Sequence, residues 1–529
     1  MNKNNVVLGI VKIFGALLVI FIVIIFIIYK GTFSTLSPDS IRFMHIWQIN
    51  ADQFINSGSH FSDAIKLIYD SFRSSSNYDM GRGRLTQYVF YGFEGLFKSR
   101  LFFSSINFLM ILLTLLNSAL ISWLATKYNK NLSSRLDLFL ICWLILITTS
   151  FVISPVMLVI LYSKYIWFTF ILAFFVAHQK KWKTAFLIAA AFSDEIGLFA
   201  VMLIMFLMIV RFCLNYDFGN SKAISRPIFR IARAFLYGVT GSLSFLFIFY
   251  GILAIFLRIV PYGFLSFSTS IGGGLLTGAE LTGKFFGFFR YSEMLVLGAT
   301  LGCNLITILL GISILILIIL GIRRRIKETL WSKCVEHFDM NDMIYKWLSD
   351  EKGFSYIFWV IMLLLQILIL PSDKIGLGGD NHYVFGPAVV LAILFIMSLQ
   401  DLLTSRNITI VLIGILAVHL ISFPHTISKT SEGLERYLFP DKTVTSKDIG
   451  AINRCVRELR NYGRSTFFET FNNDQEIDFS GTWYYSKIKA FNKINGYYFP
   501  IEGTVRVLLW PDKIEVNESI RPTHLEQVQ

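Results

Sequence analysis

The chain has 529 residues, of which 54% are hydrophobic and 16% charged before its 36 glycines are counted. Soluble domains are about 45–50% apolar with glycine included, so a soluble globular protein is excluded, as are a disordered chain and a disulfide scaffold. The net charge of +13 does not indicate nucleic-acid binding, because the basic excess lies in and between long apolar runs. This pattern is typical of a polytopic membrane protein.

Apolar runs recur along the first 423 residues, and about 20 helical residues suffice to cross the hydrocarbon core of a bilayer. The first run predicts an uncleaved anchor with its N-terminus in the cytoplasm. The fifth and sixth runs are too short to span separately, so we expect a broken pair of half-helices rather than one helix with a polar centre. The eleven runs cover about 6–29, 101–125, 138–161, 165–177, 184–192, 196–210, 235–257, 297–320, 354–370, 383–398 and 408–423.

The basic connections between the runs predict the orientation. With eleven crossings, all five basic connections fall on the cytoplasmic side, as the positive-inside rule requires, and the C-terminus lies outside. The predicted fold class is therefore an α-helical polytopic membrane protein over residues 1–423, with a large outer loop at 30–100. Residues 424–529 are predicted to form a small extracytoplasmic α/β domain. Its predicted elements are a helix at 446–462 and strands at 465–468 and 505–510.

Four polar motifs lie beside or between apolar runs on the predicted outer side. A charge at such a position is costly unless it faces a cavity or a partner, so their coincidence on one side indicates a site. In chain order the motifs are residues 37–42 with Asp39, 78–84 with Asp79, Arg82 and Arg84, 193–197 with Asp194 and Glu195, and 378–383 with His382.

These motifs also have purely structural interpretations. Asp39 follows Ser-Pro and could cap a helix. Arg82 and Arg84 are flanked by glycine and could form a solvated turn, or could approach a phosphate closely. The carboxylates of Asp194 and Glu195 have apolar neighbours on both sides, so they need a partner or a water-filled cavity, which favours a function.

Three further features are ambiguous in the same way. Lys164, between two tyrosines, could extend to the membrane interface or bind phosphate. His382 is more often a packing residue than a ligand. The aromatic segment 285–291, which contains Arg290, is expected in a loop before the eighth helix, where it could guide a lipid chain or belong to an aromatic belt at the interface.

The arrangement resembles the integral-membrane glycosyltransferases of the GT-C superfamily, and most of all bacterial O-antigen glucosyltransferase-like membrane proteins. The likeness rests on an acidic residue soon after the first helix, Asp39, a Gly-Arg pair before the second, Gly81-Arg82, and a second acidic pair on the outer side, Asp194-Glu195. An odd number of helices and a C-terminal outer domain add to it. The first loop departs from the family pattern because Asp39 has no adjacent acidic residue.

The resemblance implies a transfer of a sugar from a polyprenyl-phosphate donor to a glycan, lipid or protein acceptor on the outer face of a bacterial inner membrane. It implies that Asp39 acts as base or metal partner, and that Asp194 and Glu195 orient the acceptor or a divalent ion, Mg²⁺ or Mn²⁺. The residues implied or suggested for substrate binding are Asp79, Arg82, Arg84, Lys164, Arg290 and His382.

Other functions remain open on the sequence. A transporter or flippase would also bury carboxylates and use broken helices, although typically with inverted repeats, which the sequence does not display. A polymerase of lipid-linked oligosaccharides would also use arginines in outer loops, and a non-catalytic scaffold is the fourth candidate. Membrane lipids are expected contacts in each case, and nucleic acid in none.

Overall fold

The computed structural model describes residues 3–30, 86, 108–128, 132–149, 162–215, 227–256, 278–298, 305–331, 340–369, 381–438, 470–471 and 514–515. These residues are almost entirely helical. Helices α1 to α7 are Lys3–Lys30, Phe108–Thr126, Leu132–Thr148, Tyr162–Val176, Lys180–Ala191, Glu195–Asn215 and Pro227–Phe256. Helices α8 to α13 are Gly278–Leu297, Leu305–Trp331, Met340–Ser349, Glu351–Ile369, Asn381–Leu402 and Ser405–Leu438. Strands β1 and β2, Thr470–Phe471 and Ile514–Glu515, pair antiparallel.

Long apolar helices make this a membrane-embedded helical protein. Within the described ranges, five helices are long and apolar enough to cross a bilayer, with a mean hydropathy of 1.9 to 3.1 over their most apolar windows. In α12 the window is 83% buried, against 22–39% in the other four, so α12 is the central helix of the bundle. The five windows are Glu195–Asn215, Phe229–Ile255, Leu305–Glu328, Phe385–Leu402 and Ser405–Pro424.

An aromatic core surrounds α12 on the side of α4 and α11. Phe168 on α4 stacks on Trp359 of α11 at a ring-centroid distance of 5.8 Å and meets Phe385 of α12 edge-on at 5.7 Å. Tyr165, one helical turn before Phe168, lies 4.4 Å from Phe385. These large rings fill the space between three helices and fix their spacing.

Charged groups gather where the C-termini of α2 and α12 and the N-terminus of α11 meet. We call this the ion-pair end of the bundle and define it by Lys127, Arg325, Asp350, Lys352 and Asp401. Lys12 of α1 also pairs with Asp137, near the start of α3, at 2.8 Å. Because α3 follows α2 after a short connection, that contact places the first part of α1 near the same end.

A helical hairpin forms where the sequence predicted a broken pair. Helix α5 runs back along α4, with Phe186 packed on Phe170 at a centroid distance of 6.2 Å. Gly197, near the start of α6, lies against the Ala190 carbonyl near the end of α5. Helix α6 also packs on α10, which precedes the ion-pair end, so the chain reverses at residues 192–194. We call these three residues the hairpin tip.

The predicted break is therefore confirmed, but the prediction of two half-helices is wrong for α6. That helix has 21 residues, against the 196–210 predicted, because it continues through Arg211 to Asn215. A helix of this length covers about 30 Å and can span the bilayer by itself.

Two other segments differ from the sequence prediction. Residues 285–291, expected in a loop, lie inside α8, and the eighth apolar run corresponds to α9 at Leu305–Trp331. Helix α13 contains Pro424 and continues to Leu438, past the domain boundary predicted at residue 423. The predicted C-terminal helix and strands lie outside the described residues.

Neutral hydrogen bonds join α3, α8 and α13 in the half of the bundle away from the ion-pair end. His419 on α13 is fully buried, with Nε2 3.0 Å from the Leu295 carbonyl of α8 and Nδ1 3.1 Å from the Thr148 hydroxyl of α3. Ser422 donates to the Leu297 carbonyl at 2.7 Å. Gly298, which follows α8, has a φ of +77°, a left-handed conformation that suits a helix C-terminus.

Candidate functional site

The described residues include part of the predicted site. Asp194, Glu195 and Arg290 are described with their side chains, whereas Lys164 and His382 are described only as residues in the first turns of α4 and α12. The remaining predicted residues, Asp39, Asp79, Arg82 and Arg84, lie outside the described ranges.

Asp194 is the last residue of the hairpin tip and is 2% exposed. Its Oδ1 accepts the Ile196 backbone N–H at 3.0 Å, which makes Asp194 the N-cap of α6. Glu195 follows in the first turn, where the helix dipole favours a negative charge. A structural role is therefore present at Asp194. A cap requires only one carboxylate oxygen, so it is compatible with a second role of the same side chain.

Thr86 connects the long polar stretch at 30–100 to the hairpin tip. Its backbone N–H donates to the Phe192 carbonyl at 2.9 Å, and its hydroxyl donates to the Ala189 carbonyl at 3.0 Å. These carbonyls belong to the end of α5 and to the tip itself, where a helix lacks its own donors. Thr86 thus lies beside the acidic pair, two residues along the chain from Arg84.

Arg290 occupies a different part of the bundle. It lies on α8, one turn before Glu293, and α8 packs against α9, α12 and α13. The hairpin instead packs against α4, α7 and α10. Lys284 and Glu293 of α8 are also buried, so α8 carries several charges into the bundle. The described structure does not bring Arg290 together with Asp194.

The ion-pair end is a polar site that the sequence prediction did not contain. Lys352 and Asp401 form an ion pair with side chains only 8% and 6% exposed, and Asp401 Oδ2 accepts the Tyr356 hydroxyl at 2.7 Å. Arg325 donates to Asp350 Oδ2 from Nη2 at 2.7 Å and from Nε at 3.3 Å. These bonds join α9, α11 and α12.

Further contacts extend the same network to α2 and α4. Lys127 pairs with Glu351 and also donates to the Phe175 carbonyl at 2.9 Å. Asp350 Oδ2 additionally accepts the Gly353 N–H at 2.8 Å and so caps α11. Burial, and then the nearby Glu351 carboxylate, raise the pKa of the Tyr128 phenol well above its usual value, so that it stays neutral.

A cavity of about 430 Å³ opens among these groups. Its lining includes Tyr128, Arg325, Asp350, Glu351, Lys352 and Asp401. Each cation named in the network meets a carboxylate from another helix or loop, and such pairs hold helices together. The lining itself carries four carboxylates and two cations, so its formal charge is negative.

A sequence signal for this site existed. Asp350, Glu351 and Lys352 stand directly before the apolar run at 354–370, and Asp401 follows the run at 383–398. Charged residues that flank two apolar runs on the same predicted side of the membrane can meet in the fold.

The family resemblance implies a divalent ion held by carboxylates. Within the described ranges, no group of three or more His, Cys, Asp or Glu side chains is arranged to hold a metal ion. Asp39, the implied metal partner, lies outside these ranges.

Comparison of the chain with protein-family models, with curated proteins and with solved structures gives no match. The resemblance to membrane glycosyltransferases thus stays a proposal based on the residues.

Proposed function

We propose that the protein is a membrane glycosyltransferase that moves a sugar from a polyprenyl-phosphate donor to a cell-envelope acceptor on the outer face of the membrane. The observation that supports it best is the contact of Thr86 with the hairpin tip. It brings a residue of the 30–100 stretch, two positions from Arg84, beside the carboxylates of Asp194 and Glu195. Cations of the motif that precedes Thr86 in the sequence would, if they reached these carboxylates, suit a donor that carries phosphate.

The proposed orientation places the ion-pair end in the cytoplasm. The basic connections predicted to be cytoplasmic adjoin the C-terminus of α2, the N-terminus of α5, the C-terminus of α9 and the N-terminus of α13. The hairpin tip is then directed to the outer side of a bacterial inner membrane, and residues 424–529 are proposed to include an extracytoplasmic domain. A reporter that is active only in the cytoplasm should be silent when fused after Gln529.

The proposed reaction is a displacement at the anomeric carbon. The acceptor hydroxyl oxygen forms the new bond to that carbon while its proton passes to a carboxylate, for which Asp39 is the proposed base. The bond between the anomeric carbon and the phosphate oxygen breaks, and the departing phosphate keeps the electron pair. Arg82 and Arg84 stabilise that charge, with Lys164 as a further cation, and Asp194 and Glu195 orient the acceptor.

The test measures cell-surface glycans by mass analysis, with variants at matched abundance in the membrane. Asp39→Asn should lower transfer by about 100-fold or more because the amide cannot accept the proton. Near-normal transfer would move the base to Asp79 or Asp194. Identical glycans with and without the wild-type protein would contradict the proposal as a whole.

The matched pair for the hairpin tip is Asp194→Asn and Asp194→Ala. Asparagine caps a helix about as well as aspartate, so Asp194→Asn keeps α6 in place and removes only the charge. If the charge acts on the substrate, both variants lose transfer. If Asp194 is only a cap, Asp194→Asn transfers normally and Asp194→Ala alone is impaired.

A further inference from the structure

Three lysines lie in the first turn of α5, residues 180–183, which we call the lysine turn. Lys180 and Lys181 are exposed and Lys183 is half-buried. None of the three forms an ion pair with any residue that the structure describes. The sequence contains no Asp or Glu from residue 138 to residue 193. These cations therefore differ from those of the ion-pair end, each of which meets a carboxylate.

The stability of α5 itself does not explain the lysines. The first turn of the helix contains no acidic residue, and the side chain of the N-cap residue, Gln179, makes no capping hydrogen bond. The helix dipole places a partial positive charge at this end, so cations here are unfavourable for the helix. An anion held near the lysine turn would offset both the dipole and the mutual repulsion of the lysines.

The lysine turn lies at the same end of the bundle as the ion-pair network. The Lys183 Nζ atom is 5.5 Å from the centroid of the Phe174 ring near the end of α4. The next residue, Phe175, accepts a hydrogen bond on its carbonyl from Lys127, which belongs to the ion-pair end. The lysine turn thus occupies the outer surface at this end of the bundle.

An exposed tryptophan fixes the depth of the lysine turn. Trp182 is 53% exposed, and its ring stacks on Phe186 at a centroid distance of 6.3 Å. Phe186 in turn packs on Phe170 of α4, so the indole is held against the bundle. The Lys181 Nζ atom lies 5.8 Å from the centroid of the Trp182 ring. Tryptophan is enriched where a membrane meets water, because its ring is apolar and its N–H is polar.

The exposed face of α5 becomes apolar directly after the lysine turn. Ala185 is exposed, and the side chain of Ile188 is 55% exposed. Ile188 is six residues from Trp182, or about 9 Å along the helix axis. In a membrane-embedded protein an exposed isoleucine faces the acyl chains, so the change from lysine to isoleucine places the lysine turn at the level of the lipid headgroups.

We propose that the ammonium groups of Lys180, Lys181 and Lys183 bind the phosphate headgroup of an anionic phospholipid, beside Trp182 at the membrane interface. Each ammonium group has three donors for phosphate oxygens, and the local excess of positive charge selects an anionic lipid over a zwitterionic one. The proposal does not depend on sugar transfer. With the proposed orientation, the lipid belongs to the cytoplasmic leaflet.

Native mass spectrometry of the full-length protein tests the site by counting the lipids that it retains. The protein is taken from micelles that contain equal amounts of phosphatidylglycerol and phosphatidylcholine, and the wild type should retain phosphatidylglycerol preferentially. Lys180→Gln combined with Lys181→Gln and Lys183→Gln should reduce the ratio of the two retained lipids roughly 10-fold or more. Replacement of the same three lysines by arginine keeps the charge and should keep the ratio.

The control variant removes the same charge from α9 at the same end of the bundle. It combines Arg323→Gln, Arg324→Gln and Lys327→Gln, and the Arg324 guanidinium is already paired with Glu328. This variant should keep most of the preference for phosphatidylglycerol. An equal loss in the two variants would show that only the total charge matters and would overturn the site.

Thermal unfolding in phosphatidylcholine nanodiscs checks that the lysines are not needed by the fold. The glutamine variant of the lysine turn should unfold at the same temperature as the wild type or higher, because it removes cations from a helix N-terminus. A lower midpoint in this neutral lipid would mean that the lysines stabilise the protein itself, and would contradict the proposal.

A further arm distinguishes the lipid from free phosphate, which has the same headgroup chemistry. Inorganic phosphate at the same concentration as phosphatidylglycerol should not displace the lipid, since it lacks the acyl chains that hold the headgroup at the interface. Displacement would overturn the lipid assignment, as would equal retention of both lipids by the wild type. The glycan assay is independent of these outcomes, so a lipid preference without sugar transfer leaves the site in place and refutes only the proposed function.

Discussion

The two ends of the bundle are joined by different forces. At the ion-pair end, cations and carboxylates from separate helices meet directly, as Lys352 and Asp401 do. In the other half, several joints are hydrogen bonds between neutral groups, such as His419 with the Leu295 carbonyl and Thr86 with the Phe192 carbonyl. Asp194 and Glu195 lie in that half, at the N-terminus of α6.

This difference separates joints made by buried ion pairs from joints made by neutral hydrogen bonds. A buried ion pair is strongly position-dependent, because either partner alone is a buried charge without compensation. Both ends are polar, but the ion-pair end is expected to matter for stability and the hairpin tip for activity.

The largest expected effect is the loss of one partner of the buried ion pair. Lys352→Met leaves the Asp401 carboxylate buried without its cation and should lower the free energy of unfolding by about 3–5 kcal/mol. Thermal or denaturant unfolding in nanodiscs measures it. The double variant Lys352→Met with Asp401→Asn removes both charges and should recover much of the loss. Equal losses in the single and double variants would mean that the pair is not the source of the effect.

The next effect tests the hairpin. Gly197→Ala places a methyl group against the Ala190 carbonyl and 2.7 Å from Trp167 Cβ, neither of which can move freely. The free energy of unfolding should fall by about 1–3 kcal/mol, as for other overpacked sites. Gly251→Ala on α7 is the matched control, since a Cβ there meets nothing within 4 Å. Equal behaviour of the two variants would contradict the close approach of α5 and α6.

A smaller effect tests the neutral joint. His419→Leu removes the hydrogen bond to the Leu295 carbonyl and should lower the free energy of unfolding by about 1–2 kcal/mol. The loss should be the same in low and high salt, because no ion pair is involved. A strong dependence on salt would place a charge at this joint and weaken the contrast between the two halves.

The smallest effect is expected at the surface of the ion-pair end. Arg324 and Glu328 form an i,i+4 pair with side chains 53% and 49% exposed, and Glu328 Oε2 also lies 3.7 Å from Arg325 Nη1. Glu328→Gln should change the free energy of unfolding by only about 0.3–0.5 kcal/mol. If Glu328→Gln lowered the free energy of unfolding as much as Lys352→Met, the contribution of an ion pair would not depend on its exposure to solvent.

The sequence was sufficient to predict the features that depend on local hydrophobicity. The polar triplet Ser193-Asp194-Glu195 interrupts two apolar runs, and the chain breaks there into α5 and α6. Helix α8 was misplaced because Lys284, Arg290 and Glu293 interrupt its apolar character. A bundle of many helices can accommodate such charges in its interior. The mean hydropathy of the segment does not reveal this.

The contacts between distant residues could not be predicted in the same way. Lys127 and Glu351 are 224 residues apart in the chain, and Lys352 and Asp401 are 49 apart. Charged residues that flank apolar runs indicate a side of the membrane. Which of them form an ion pair depends on which helices are neighbours. The contact of Thr86 with the hairpin tip also depends on helix packing, and no local sequence pattern at residue 86 predicts it.

Helix α13 has a mechanical consequence for whatever follows it. It contains 34 residues, so it is about 51 Å long at 1.5 Å per residue, whereas the hydrocarbon core is about 30 Å thick. Its apolar window ends at Pro424, and the remaining turns to Leu438 form a rod about 20 Å long beyond that window. The length of this helical extension sets the distance of the following segment from the membrane. Each residue inserted into the extension would move that segment by about 1.5 Å along the helix axis and rotate it by about 100° about the axis.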